Sequence, residues 1–373
     1  MVKDNMQNPL DMVDMLVNMG PQHPSTHGVF RMVLTIDGER VVDVEPHIGY
    51  LHRGSEKLCE GELYAQIVTL FDRLDYISNL NNEMVFCRAV ETLMGLEVPE
   101  RAEYIRVILC ELNRIASHLL FFGTFGIDAG AMTPIMYTFR DREKIQSMFE
   151  SVTGARMMHN FIRIGGVKND VPDEFITRMR TLLGELKQGI DEADRLLSFS
   201  EIFLARTKGI SVIDADTAIN FGMSGPILRA SGIPMDVRKD DPYSIYDRFE
   251  FGIPVGENGD CWDRYYVRVE EMRQSMKIIE QGLATMPDGP TITPTRLVLR
   301  PPAGEVYVRG ENPRGEIGVY LVSNGADRPY RIKVRPPSFC NLMGLRELLR
   351  GTYVADAVVI LGSLDIVLGE VDR

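Results

Sequence analysis

The stretch "RAEYIRVILCELNRIASHLLFF" (101–122) constrains the fold more than any other. Ile105, Ile108, Leu112, Ile115 and Leu119 fall at helical spacing and form one apolar stripe. Glu111, Arg114 and His118 line up on the opposite side. Such a helix needs other elements against its stripe, and the chain supplies them. Leu63, Ile67, Leu70, Leu74 and Ile77 predict a helix through "LYAQIVTLFDRLDYISNL", and a second one runs through Glu83–Met94 and stops near Gly95. Further helices are predicted over 141–152, 173–199, 264–283 and, shorter, 341–350, while 205–260 is rich in Gly, Pro and Asp and reads as long ordered loops.

Strand signals sit at the two ends. "VFRMVLTIDGERVVDVEPHIG" (29–49) alternates around Asp37-Gly38, a pair that accepts the positive φ of a tight turn. "GEVYVRG", "GEIGVYLVSN" and "YRIKVRPPSF" read as strands near the C-terminus. The expected fold is therefore α+β: a large central helical bundle with β segments from both ends packed outside it. The predicted organisation is a flexible lead-in (1–16) and one domain (17–373). That domain has an N-terminal β region to about 55, a helical core to about 285 and a C-terminal β/helix region.

Charge and cysteine content exclude several classes. The 373-residue chain carries a net charge of −12, which argues against nucleic acid as a partner. No run of about 20 apolar residues is present, so no helix is expected to span a bilayer. "MVKDNMQNPLDMVDML" lacks the basic start and apolar core of a signal peptide, which predicts a cytoplasmic chain. Cysteines stand at 59, 87, 110, 261 and 340, with no C-x-x-C pair, so zinc ribbons, ferredoxin-type clusters and thioredoxin chemistry lack support. Reduced, buried thiols are the expectation.

Four stretches carry candidate chemistry. "GPQHPSTHG" (20–28) sets His23 and His27 four apart, a metal-binding spacing on a helix, but its prolines and glycines make it a loop. A stiff loop presenting imidazoles to a cavity is the functional reading, and a surface turn is the ordinary one. "FDRLDY" (71–76) puts Asp72, Arg73 and Asp75 into an apolar helix beside Tyr76; from that stretch alone a solvated face is expected. "FGTFGIDAG" (122–130) sets Asp128 among glycines, where an aspartate more often forms a turn. "GSLDIVLGEVDR" (362–373) is apolar for a chain end yet holds three acids and an arginine, and reads as docked.

Together, "GPQHPSTHG", "PHIGYLHRG", "RAEYIRVILCELNRIASHL", "RIGGV", "LRASG", "DVRK", "GEVYV" and "SLDIVLGEVDR" resemble, in order, the D subunit family of respiratory NADH–quinone oxidoreductase, bacterial complex I. The likeness runs from about Val17 to Arg373. That family is related to the large subunits of nickel–iron hydrogenases, whose metals are held by two C-x-x-C pairs. Here Val367 and Glu370 stand in the last two cysteine places, so the resemblance implies a hydrogenase-like fold with no metal.

The resemblance also implies site residues. His27 would hydrogen-bond the quinone head group, Tyr76 would contact its other carbonyl, and Asp128 would pair with the histidine; His23 would be a structural neighbour. Arg73 would lie near the iron–sulfur cluster of the adjacent B subunit. Relatives often carry a histidine near that cluster in "GARMH"; in "GARMMHN" Met158 takes its place, and on helical spacing His159 would point elsewhere. The implied role is the quinone-site subunit of the peripheral arm of a proton-pumping complex on the cytoplasmic side of the cell membrane. Its partners would be the B, C and I subunits, with H and A of the membrane arm. Menaquinone or ubiquinone would be substrate, with FMN and NADH bound elsewhere in the complex. The alternatives are the same role with ferredoxin or reduced deazaflavin as donor, an energy-converting hydrogenase subunit, and a non-catalytic assembly scaffold.

Overall fold

The computed structural model describes residues 15–22 and 28–373. The central helix runs over Glu100–Asp128 and packs against the Thr133–Thr153 and Cys261–Thr285 helices. Asp173–Leu197 packs in turn on Thr133–Thr153, and Asn79–Met94 lies beside the central helix. Pro99 precedes the central helix, and Glu100 and Glu103 occupy its first turn, where carboxylates favour the positive end of the helix dipole. Asn79–Met94 ends at Gly95, which adopts φ +60°, as a left-handed cap requires.

Among the described residues, three antiparallel sheets accompany the helices. The first orders Met15–Met19, Arg31–Asp37 and Arg40–His47, with the tight turn at Gly38 (φ +60°) closing Asp37 onto Arg40. The second is the short pair Ile162–Arg163 and Gly166–Val167, from "RIGGV". The third orders Gly304–Asn312, Gly315–Ser323 and Arg331–Arg335, and its first strand packs on Asn79–Met94. The two chain ends meet: Val41 N–H donates to Thr352 O at 2.9 Å, and Gly351 N–H donates to Val41 O at 2.7 Å. The α+β expectation holds, and helices cover the C-terminal sheet, whose middle strand Gly315–Ser323 is largely buried.

Several local expectations are revised. The helix expected through 63–80 stops at Phe71, and turns follow to Ser78. Asp75 causes the break: its Oδ1 accepts from the Ile77 and Ser78 backbone N–H groups, both at 3.1 Å, offering the chain a turn in place of helix. The glycine-rich 122–130 stretch is helix up to Asp128 rather than a loop. Its glycines serve close packing: a Cβ on Gly123 would lie 2.6 Å from Thr138 Oγ1, and one on Gly126 would lie 3.2 Å from Leu197 Cδ2. The 205–260 region holds short helices, among them Ala215–Asn220, Pro226–Ala230 and Val237–Asp240. The C-terminus is docked as expected. The Asp372 carboxylate accepts from Gly49 N–H (2.8 Å) and Leu51 N–H (2.7 Å), and Arg373 lies over the Phe339 ring. Cys59, Cys87, Cys110 and Cys261 are buried free thiols. Among the described residues no helix is long and apolar enough to cross a membrane.

Candidate functional site

The polar side of the central helix is not solvated. Glu111, Arg114 and His118 are all fully buried. Arg114 donates to Glu111 at 3.2 Å, and Arg238 donates to the same carboxylate at 3.1 Å. Burial pushes the Glu111 carboxyl up, but the two guanidiniums outweigh it and hold it at about 2. His118 Nε2 lies 2.9 Å from Glu271, which also accepts from Arg229 at 2.7 Å. Arg229 reaches Glu311 at 2.9 Å. Arg229 and Arg238 come from "LRASG" and "DVRK". Arg238 thus partners Glu111 of the central helix directly, and Arg229 partners Glu271, the acid that faces His118.

The same helix ends in a cavity of about 390 Å³. Its wall is made by Tyr76 and Ile77 from the turn after Phe71, and by Phe121, Thr124 and Asp128 from the last helical turns. Asp365, Ile366 and Val367, following the Ala357–Leu364 helix, complete it. Tyr76 and Asp128 therefore share one cavity with the C-terminal motif, though 52 positions separate them in "FDRLDY" and "FGTFGIDAG". Burial raises the Tyr76 phenol above its ordinary value, which keeps its hydroxyl a donor at neutral pH. Clefts of 390 and 590 Å³ elsewhere, beside Trp262 and beside Arg296, contain none of Tyr76, Asp128 and Arg73, the predicted site residues among those described.

Below the cavity the solvated-face reading of "FDRLDY" fails, because Asp72 and Asp75 are wholly buried. Arg314 explains Asp75: it donates to Asp75 Oδ2 at 2.8 Å, to Ser117 Oγ at 3.1 Å and to Asp365 O at 2.8 Å. Sequence reasoning missed Arg314, whose only signal is its place in the "NPRG" turn between two strands. Asp72 is linked through Asn79 Nδ2 (3.3 Å) to Glu83 (3.2 Å), and burial and Asp72 together push the Glu83 carboxyl up.

The C-terminal helix Leu368–Asp372 holds the Tyr76 turn in place. A Cβ on Gly369 would lie 2.6 Å from Leu74 O and 3.3 Å from Tyr76 Cδ1. Only hydrogen leaves room for that approach. His23 and His27 lie outside the described residues. Gly28, which follows them, adopts φ +130°, and a Cβ there would come within 3.0 Å of Leu368 Cδ1. Arg73 is exposed, away from the cavity wall, and donates to Thr69 O at 2.6 Å.

The expected helical spacing at "GARMMHN" fails as well. The helix ends at Thr153, and Met158 (φ +56°) and Asn160 (φ +45°) are both in the left-handed region. His159 turns into the core, with Nδ1 3.0 Å from Asn79 Oδ1 and its ring 4.4 Å from that of Phe149. Burial pushes its imidazole down to about 4.

Comparison with known proteins defines the class. The family described as "Respiratory-chain NADH dehydrogenase, 49 Kd subunit" matches residues 128–302 and 295–373. The NADH-quinone oxidoreductase D subunit of Carboxydothermus hydrogenoformans is 52% identical over 356 residues, covering 95% of this chain and 98% of the relative. The D subunits of the same name from Dehalococcoides mccartyi (54% over 359 residues) and Bacillus cereus (51% over 360 residues) each cover 96% of this chain and 98% of their own length. The chain belongs to the NADH–quinone oxidoreductase D subunit family.

Proposed function

We propose that this chain forms the quinone site of a proton-translocating NADH–quinone oxidoreductase, as a peripheral subunit on the cytoplasmic face of the cell membrane. The observation that carries the reading is the cavity shared by Tyr76, Asp128 and the Asp365–Val367 segment. Its volume of about 390 Å³ lies within the about 300–1,000 Å³ usual for small-molecule sites, and apolar Ile77, Phe121 and Ile366 suit a ring.

Reduction of a quinone to a quinol takes two electrons and two protons. The electrons would come from the iron–sulfur cluster of the adjacent B subunit, since a phenol, an imidazole and a carboxylate cannot supply electrons at the low potentials at which a quinone is reduced. These groups handle protons and position. The Tyr76 hydroxyl donates to one carbonyl oxygen of the ring. His27 donates to the other through an imidazole, the side chain whose ordinary charge change falls near neutrality. Asp128 orients that imidazole and stabilises its charged form. The exposed guanidinium of Arg73, held by the Thr69 carbonyl, would face the B subunit, where a cation favours the reduced, more negative cluster. The C and I subunits, and H and A of the membrane arm, would complete the surroundings.

The test is a pair of reactions in the assembled complex. His27→Ala and Tyr76→Phe should impair NADH–quinone turnover and leave NADH–ferricyanide turnover intact, because the upstream cofactors sit in other subunits. Loss of the ferricyanide reaction in an assembled complex, or unimpaired quinone kinetics, would refute the assignment.

A further inference from the structure

Behind the cavity wall lies a carboxyl that the quinone reading does not use. Glu370 is 1% exposed, and its Oε2 has no hydrogen-bond partner. Its Oε1 accepts from Ser338 N–H at 2.9 Å. Asp75 and Arg314 face it from across the site, and Cys340 faces it from the Pro337–Leu342 helix. Asp372 and Arg373 stand on its own segment, and Asp372 is occupied by the Gly49 and Leu51 N–H groups.

The charge balance of this cluster is uneven. Arg314 pairs with Asp75 and Asp365 and lies within electrostatic reach of Glu370, and Arg268 lies 3.8 Å from Asp365 Oδ2. Three carboxyls thus meet two guanidiniums. With every group ionised the cluster carries one net negative charge where Asp75, Glu370, Arg314 and Arg268 are all buried, which is costly. One bound proton makes it neutral. Glu370 is the member fit to hold that proton. Asp75 is engaged by Arg314 and by two backbone N–H groups, and Asp365 stands beside both arginines.

We propose that Glu370 is a positioning residue of the quinone cavity: its neutral acid form leaves Arg314 on Asp75 and Asp365, and so fixes the wall that faces Tyr76. Arg314 holds Asp365 through both its backbone oxygen and its side chain, and Asp365 begins the Asp365–Val367 wall. An ionised Glu370 competes for the same guanidinium and loosens that wall. Burial, and next the Asp75 charge, push the Glu370 carboxyl up to about 8, so the neutral form prevails at pH 7. This inference rests on the quinone reading of the cavity.

The experiment follows kcat/KM for quinone in the assembled complex from about pH 6 to about pH 9.5, with the NADH–ferricyanide rate as reference at each pH. In the unaltered complex the ratio should fall above about pH 8, by about tenfold per unit. E370Q is a neutral isostere of the acid form. It should match the unaltered complex at pH 7 and lack the alkaline fall. D75N removes the charge that opposes ionisation, so its fall should move to lower pH. An E370Q profile that keeps the fall, an unaltered complex without one, or an unmoved fall in D75N overturns the proposal. Failure of the quinone reading itself would show separately, as a Tyr76→Phe variant with unchanged quinone KM.

Discussion

Gly369→Ala tests whether the C-terminal helix sets the position of Tyr76. The added methyl would sit 2.6 Å from the Leu74 carbonyl oxygen, 3.2 Å from the Arg73 carbonyl oxygen and 3.3 Å from Tyr76 Cδ1. Two of these are backbone atoms, so no rotamer change relieves the clash. Ordinary contact begins near 3.4 Å, so the Leu368–Asp372 helix and the Arg73–Tyr76 turn must separate by about 0.8 Å along that line. Overpacking of this kind costs about 1–3 kcal/mol, a loss of a few degrees in melting temperature. The functional loss should exceed the loss of stability. Displacing a positioning group by about 1 Å costs as much as about 100-fold in rate. We expect Gly369→Ala to lower kcat/KM for quinone by at least about tenfold in the assembled complex, with the ferricyanide rate unchanged. Steady-state kinetics with both acceptors, alongside a thermal melt, provide the measurement. Unchanged quinone kinetics together with an unchanged melt would show that the packing of Gly369 on the Tyr76 turn does not matter.

Tyr76→Phe removes one hydroxyl and should weaken apparent quinone affinity several-fold, the worth of a hydrogen bond of about 0.5–1.5 kcal/mol. His27→Ala should be the more damaging of the two, since in the proposed site it also removes the partner of Asp128; a larger loss in Tyr76→Phe would reverse the assigned roles. If, as proposed, an iron–sulfur cluster of the B subunit lies beside this chain, its potential should depend only weakly on pH between about 6 and 8. Met158 does not titrate, and His159, lowered to about 4, stays neutral across that range; a redox titration slope near about 59 mV per pH unit would contradict this. Glu271→Ala should destabilise the protein by about 3–5 kcal/mol, because it leaves buried Arg229 and His118 without their shared carboxylate. Burial opposes ionisation of Glu271, but Arg229 and His118 hold its carboxyl well below the usual range. Its contribution is therefore complete above about pH 4.3 and lost on acidification, so the urea midpoints of the two forms should converge in acid.

Local pattern was enough where a residue's conformation depends on its neighbours in the chain. The alternation around Asp37-Gly38, the apolar stripe of Ile105–Leu119 and the stop at Gly95 all appear as elements where the sequence indicates them. Each is a matter of period or of backbone freedom. The order of motifs from "GPQHPSTHG" to "SLDIVLGEVDR" likewise pointed to the family to which the chain belongs. Local pattern was insufficient where a side chain's meaning depends on what faces it. Asp72 and Asp75 look like a solvated face, and only Arg314, some 240 positions away, explains why Asp75 is buried. The glycines at 123 and 126 look like loop residues until neighbouring elements are seen to need their space.

The sequence by itself determined the periods, the turns, the shortage of thiols that could hold metal and the family. Tertiary structure decided which charges are buried, which arginine neutralises which acid, and that Tyr76 and Asp128 line one cavity closed by the Asp365–Val367 segment. The physical reason is range. Helix and turn propensities act over a few residues, whereas a buried charge is stabilised by a partner brought near only after the whole chain has folded.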